Sequence, residues 1–376
     1  MTPSDTPLIS VVMANFRGAA HLVPTMSAVL AQTERRLELI LADDCSDDES
    51  VPIARRIAAA DSRVRVIAAP HNQGPAATRN MALDAAKGEW IAIVDSDDLI
   101  HPERFARLIA AAQAADTDIV ADDMVYFGAV SDPQGRSLLQ PLALTAPIRV
   151  DTALYLRANS GDPRVPALGY LKPIFRRGIL EGRRYDPQLR IGEDYDLVLR
   201  LLIDGANFLL LPDPLYAYRR HAGSISHRLS VATVEAMLNA HRALPPLTDP
   251  QARAAARVVD RQLSRSLRYE CLVRDIKARH WRGALPRLAD PAMLSRLIES
   301  LRDRRRSKTP VAPLADDITL PTPLPDLPPP GQSWALPPAP LAARIAAMTA
   351  QGKALPAPAP EWAAWLALAT APASAR

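Results

Sequence analysis

Three carboxylates arrive together in GEWIAIVDSDDLIHPERF, Gly88 to Phe105: Asp95, Asp97 and Asp98 follow an apolar run with no base between them. Alternate side chains on an extended segment point the same way, so Asp95 and Asp97 can present oxygen to one hard cation, Mn2+ or Mg2+. Such an ion would neutralise a diphosphate. The same acids also suit the plainer task of ending a strand and capping a helix that begins near Pro102, and Asp98 in particular reads as a cap. A second acidic pair, Glu193 and Asp194 in GEDYDLVLRLLIDG, opens a helical pattern, where the positive end of the helix dipole favours carboxylates.

The elements that must position these acids alternate along the chain. From residue 8, short β-rich apolar runs (LISVVM, LELILA, VRVIAA, EWIAIV, DIVADDMVYF) are separated by helix-like segments ending near Gln32, starting near Asp48, and covering roughly 75 to 87 and 102 to 115. Continuous Val, Ile and Leu runs are what strands buried on both faces look like, and helical crossovers between them predict a mostly parallel, doubly wound α/β sheet. Ligands of such sheets gather at the carboxyl ends of the strands, which is where the polar residues fall. After Phe127 the regularity fades until a helix over 193 to 204 and a strand, ANFLLL.

Four segments stand at strand ends in a fixed order: PLISVVMANFRGA, LADDCSDDES, HNQGPAATRN and VDSDDL. Over about residues 7 to 227 this order resembles the family 2 glycosyltransferases, whose GT-A fold binds a nucleotide-diphosphate sugar at that sheet edge. The resemblance implies that Phe16 stacks on the base through its π face. It implies that Asp44, with Asp43 beside it, accepts from the base N–H; most relatives have Gly where this chain has Cys45. Gly74 would allow close backbone approach, and the helix after it would bring Arg79 and Asn80 near the nucleotide, Arg79 offering a planar cationic fork. Without that context Phe16 reads as a core residue, the acids as a solvated turn and Arg79 as half of a surface ion pair.

By the same resemblance Asp95 contacts ribose and metal, Asp97 binds the metal directly, and Glu193–Asp194 is the catalytic acid pair, with Asp194 as base and Glu193 aiding acceptor binding. Glycosyl transfer needs both a stabilised leaving diphosphate and a base for the attacking hydroxyl. The family's chemistry is direct displacement with inversion. YAYRRHAGSISH resembles its YRxHxxS segment, placing Arg219 and Arg220 near the leaving group and His221 near metal or diphosphate, though a lone His is also commonly structural. The QxxRW motif of processive members is missing, so single-sugar addition is expected. Phe16 and Asp44 fall where uracil is read in relatives, and the expected donor is a UDP-hexose or UDP-N-acetylhexosamine. A saccharide or lipid-linked acceptor in bacterial polysaccharide assembly is the matching expectation.

Composition sets the outer bounds. A chain of 376 residues, 48% hydrophobic, has room for a sizeable core. Two cysteines, Cys45 and Cys271, make neither a disulfide framework nor a CxxC metal site. MTPSDTPLIS lacks a signal-peptide pattern and no stretch approaches the roughly 20 apolar residues that span a bilayer, so a cytoplasmic location is expected. Net charge is +4 but uneven: residues 251 to 308 carry 16 basic and 6 acidic residues, hence +10. Arg253, Arg257, Arg261 and Arg265 recur every fourth residue of a helical pattern, with Val258, Val259, Leu263 and Leu267 on other faces. That stripe suits contact with an anionic membrane surface, or is simply a solvated face; few aromatics and no reader motif argue against nucleic acid.

The expected organisation is a GT-A catalytic domain over 1–230, a basic helical extension over 231–308, a linker over 309–340 and a short helical tail over 341–376 containing Trp362 and Trp365. The linker follows from 11 prolines among residues 310 to 340. Two alternatives stand beside the enzyme. A nucleotidyltransferase would bring a Gly-rich basic loop after the first strand, which MANFRGAAH is not, and a non-catalytic sugar-nucleotide scaffold would keep the fold alone.

Overall fold

Apolar runs and helix signals assort into strands and helices close to the expected boundaries. The computed structural model describes residues 7–127, 137–161, 165–219 and 229–306. Arg220, His221, the Pro-rich segment from 309 and the tail with Trp362 and Trp365 lie outside them. In order, the strands and helices are β1 (Ile9–Asn15), α1 (Ala19–Leu30), β2 (Leu37–Asp43), α2 (Ser50–Ala60), β3 (Val64–Ala68), α3 (Pro75–Ala85), β4 (Trp90–Ile93), β5 (Leu99–Ile100), α4 (Arg104–Ala114) and β6 (Ile119–Phe127). Then come β7 (Ile148–Val150), α5 (Thr152–Ala158), β8 (Ile174–Arg176), α6 (Glu193–Ile203), β9 (Phe208–Arg219), α7 (Val231–Arg242), α8 (Pro250–Lys277), α9 (Trp281–Leu288) and α10 (Pro291–Arg306).

The described strands form one sheet in the order β3-β2-β1-β4-β8-β6-β9-β5, with β7 on β9. Its first four strands are parallel, as the crossover helices require. Ile9, Val11, Val12, Leu39, Ile40 and Leu41 are fully buried, each contributing about 1.5–3 kcal/mol relative to exposure. Beyond them the sheet is mixed, with β6 and β9 again parallel. β8 enters antiparallel between β4 and β6, and β5 and β7 run antiparallel to β9. The physical reason is the connection: among the described residues β6 and β8 are joined through the short strand β7 and the seven-residue α5, which is not the long helical crossover that a parallel pair needs.

Register decides what meets at the functional edge. Asn15 pairs with Asp43, and Val12 with Ile93, so the residues following β1, β2 and β4 leave the sheet side by side. β8 pairs Ile174 with Ala92 in the opposite direction. The residues just before β8, including Lys172, are therefore laid against the carboxyl end of β4, where Asp95 follows.

Residues 250–306 are helical with two breaks rather than continuous. Asp249 caps α8 by accepting from Gln251 and Ala252 N–H, and Pro250 occupies the first turn. At 28 residues α8 is about 42 Å long. Ala252, Ala255 and Val259 join the main core, while Tyr269 and Leu272 build a separate small core with Ala284 and Met293. Arg253, Arg257, Arg261 and Arg265 are exposed on its outer face.

Candidate active site

At the carboxyl edge of the parallel strands lies a cavity of about 710 Å³. Two cations and three carboxylates interlock in its wall. Arg79, on α3 and 5% exposed, places Nη2 2.8 Å from Asp95 Oδ1 and Nη1 2.5 Å from Glu193 Oε1. Lys172 Nζ lies 2.8 Å from Asp95 Oδ2 and 2.8 Å from Asp194 Oδ2. Burial alone pushes the Asp95 carboxyl up, but the charges of Lys172 and Arg79 together hold it well below the usual carboxylate range. Glu193 is pushed up by burial, with the Arg79 charge opposing and Asp194 adding to the rise. With both bases charged and the three acids ionised, the cluster sums to −1.

Local sequence explains how each member gets there. Gly192 caps α6 at φ +83°, a conformation glycine adopts without steric cost, and Glu193, Asp194 and Asp196 occupy the first turn. Gly74 caps α3 at φ +92° with Pro75 following, so the helix carrying Arg79 starts at a sharp turn. Arg79 also lies over the ring of buried Tyr185, 5.6 Å from its centroid.

A deeper layer supports these groups. Arg104 is fully buried, grips Asp122 through Nε and Nη2 and donates to the Lys172 carbonyl, with its guanidinium 4.9 Å over the Tyr216 ring. Tyr216 OH donates to Asp98 Oδ2 at 2.7 Å and accepts from Asp95 N–H at 3.2 Å. Asp98, expected as a helix cap, is instead fully buried and ties the acidic turn to β9, where it also accepts from Arg219 N–H. Burial and the charges of Asp97 and Asp95 push its carboxyl well up. The helix it was expected to cap begins at Arg104, with no side-chain cap.

The other expected residues divide. Phe16 lines the cavity and is 43% exposed, so it is no core residue; Arg17 packs over its ring at 5.1 Å. Asp44 lines the cavity, yet its two oxygens accept from Gln73 and Gly74 N–H, which fixes the turn before α3. Asp43 is fully buried and accepts from Asn15 Nδ2 and from the Ser46 backbone and hydroxyl. Cys45 stands between these turns at φ +62°. Asn80 spends both ends of its amide on the Tyr185 backbone. Arg219 is buried, with Nε on the Asp97 carbonyl at 2.6 Å. Arg220 and His221 lie outside the described residues.

Sequence reasoning missed Lys172, Asn15 and Arg190. Lys172 sits in LKPIF, an apolar context whose single cation was the available signal. Asn15 ends β1 and lines the cavity with Oδ1 unpaired among the described residues, and Arg190 lines it just before Gly192.

A divalent ion fits this donor set in one mode. Asp97 lines the cavity beside Asp95, and carboxylate oxygens suit Mn2+ or Mg2+. Both Asp95 oxygens already face cations, and among the described residues no three His, Cys, Asp or Glu side chains gather to hold a metal. The arrangement therefore matches an ion carried by one or two carboxylates plus substrate phosphates.

A mixed sheet with its acids at the strand ends is the architecture of a nucleotide-sugar transferase, and comparison with known proteins agrees. The profile of glycosyl transferase family 2 matches residues 10–177. The chain is 34% identical over 315 residues to the succinoglycan biosynthesis protein ExoO of Rhizobium meliloti (strain 1021), covering 80% of this chain and 86% of that protein. The chain belongs to glycosyl transferase family 2 and is a glycosyltransferase. Its fold is similar to that of S. aureus TarS 1-349 solved in complex with UDP-GlcNAc, at TM-score 0.58 and 19% identity over 75% of this chain and 80% of that one. It is also similar to the mannosyltransferase PcManGT from Pyrobaculum calidifontis solved with GDP-Man and Mn2+, at TM-score 0.50 and 16% identity over 81% and 88%.

Proposed function

We propose that the chain moves a single sugar from a UDP-hexose or UDP-N-acetylhexosamine to a saccharide or lipid-linked acceptor, with inversion, in polysaccharide biosynthesis. The observation that carries this is the Arg79–Lys172 pair linking Asp95, on the DSDD turn, to Glu193 and Asp194 at the start of α6. Phe16 offers a π face at the cavity rim for the base, and Asp44 holds the adjoining turn. The pathway rests on the name of ExoO, and the uridine donor on TarS having been solved with UDP-GlcNAc.

In this reading Asp194 accepts the proton of the acceptor hydroxyl as that oxygen bonds to the anomeric carbon, while the bond to the diphosphate breaks on the opposite face. Lys172, 2.8 Å from Asp194 Oδ2, keeps that carboxylate aimed until the proton arrives. Arg79 and Lys172 oppose the negative charge that builds on the leaving group. Glu193, held by Arg79, borders the acceptor side. Mn2+ or Mg2+, when bound through Asp97 and Asp95, supplies Lewis-acid neutralisation of the diphosphate. Asp43 and Arg219 act from behind, through the turns they hold, and Arg220 and His221 are assigned to diphosphate and metal on the family pattern alone.

Among the described residues no helix is long and apolar enough to cross a membrane. Contact with the inner face of the membrane is assigned to the exposed arginine stripe of α8, and residues 231–308 are taken as an extension of the catalytic domain.

Hydrolysis of UDP-, GDP- and dTDP-sugars by the full chain with Mn2+ tests the reading. A UDP-sugar should be preferred, and Asp194→Asn should lower transfer about 10²- to 10⁴-fold. Preference for a GDP-sugar overturns the donor, and turnover indifferent to Asp97→Ala overturns the metal assignment.

A further inference from the structure

The cavity does not end at the catalytic acids. It continues along a wall built by α7 and α8, which lie beyond the segment matched by the family profile. Two contacts fix that wall in place. A Cβ at Gly192, next to Glu193, would lie 3.3 Å from Met237 Cε of α7, and one at Gly161 would lie 2.2 Å from Gln262 Nε2 of α8. Met237, Leu244 and Leu263 supply apolar lining here.

Three lining side chains hold polar atoms that are withdrawn from solvent and have no hydrogen-bond partner among the described residues: Tyr195 OH, His241 Nδ1 and Gln262 Oε1. They come from three helices, α6, α7 and α8. His241 Nε2 lies 3.0 Å from the Ala256 carbonyl, which can only accept, so Nε2 carries the hydrogen and in the neutral ring Nδ1 is an acceptor. The Gln262 carbonyl oxygen is a second acceptor, on a terminal torsion that turns easily. Tyr195 is stacked on Tyr155 at 5.6 Å, which fixes the ring and leaves the hydroxyl as a donor or acceptor. Buried polar atoms in native proteins are paired in the great majority, so three unpaired ones on side chains that line one cavity mark a place where a small turn of those side chains meets partners brought by a ligand.

Two acceptors and a hydroxyl beside apolar side chains match a polyol ring: its O–H groups donate to Nδ1 and Oε1, and its C–H face packs on Met237, Leu244 and Leu263. We infer that α7 and α8, with Tyr195 of α6, form the subsite for a neutral sugar ring of the acceptor, set beside Glu193 and Asp194. This rests on the glycosyltransferase reading of the site, and it gives the C-terminal helices a part in choosing the acceptor.

Saturation-transfer NMR on the full chain with UDP tests it, using methyl β-D-glucoside, methyl β-D-galactoside and methyl N-acetyl-β-D-glucosaminide as probes, each titrated against UDP binding in the same sample. At least one glycoside should bind. His241→Ala and Gln262→Ala should each weaken it about tenfold, the size of one lost neutral hydrogen bond to a ligand, while UDP affinity stays within twofold. His241→Gln, which keeps an acceptor, should recover part of the loss, and thermal melting checks that each variant folds. UDP binding without any glycoside binding, or glycoside binding indifferent to both alanine variants, overturns the subsite and leaves the donor reading intact. Failure to bind UDP overturns the donor reading and the subsite with it.

Discussion

Arginine means two different things at the two ends of this molecule. Arg79 is buried by the sheet edge, touches Asp95 and Glu193, and stands beside Asp194 at 3.8 Å. Arg253, Arg257, Arg261 and Arg265 lie on the outer face of α8, in water. Coulomb interactions between exposed charges are weakened by solvent and salt, whereas a buried ion pair interacts strongly and cannot lose one partner cheaply. Charge density in the sequence is greater in the C-terminal helices, yet the charges arranged for chemistry lie between residues 79 and 194.

The sharpest way to test that contrast is to remove the buried cation. Lys172→Met should cost about 3–5 kcal/mol of stability in urea unfolding, because Asp95 and Asp194 are left facing each other's charge. The acid limb of the pH–rate profile should move upward as the Asp95 carboxyl loses the Lys172 charge that holds it down. A loss under about 1 kcal/mol with an unmoved profile would make the cluster no more special than the surface.

Protons probe the same contrast from another side. Burial, with Arg107 adding and Glu103 opposing, pulls His101 down from 6.5 to about 4. Its folded form stays neutral where the unfolded chain takes up a proton, so stability is present above 6.5 and is lost as pH falls toward 4. At 1.36 kcal/mol per unit the loss is about 3 kcal/mol, read as the difference between wild type and His101→Asn in unfolding at pH 7 and pH 4. Equal pH dependence in both would show the ring to be hydrated.

Backbone strain is smaller. Cys45 holds φ +62°, where a side chain crowds the backbone, so Cys45→Gly should stabilise by about 1 kcal/mol in thermal unfolding despite the freer unfolded chain. On the exposed stripe, Arg257→Gln should change stability by less than about 0.5 kcal/mol. A change above 2 kcal/mol there would break the comparison.

Local patterns carried much of the fold. The helix expected over 193 to 204 spans 193–203, and the one expected over 102 to 115 spans 104–114. Those signals are local, because helix and strand periods are set by neighbours in the chain. The acids of the site were legible for the same reason: they stand at the ends of periodic runs. What each acid does was not. Asp43, Asp44 and Asp98 look alike in sequence, yet their oxygens are taken up by Asn15 and Ser46, by two backbone amides, and by Tyr216 and Arg219.

Sequence alone therefore determined that carboxylates would collect at one edge of an α/β sheet, since hydrophobic periodicity settles where strands stop and polar residues begin; Phe16 and Arg79 joined them through the family resemblance. Only the tertiary structure decided the partners. Arg79 and Glu193 are 114 residues apart, and Lys172 reaches Asp95 because β8 runs backwards against β4. Such contacts follow from strand direction and register, which depend on how the whole chain packs and leave no trace in any short window of residues.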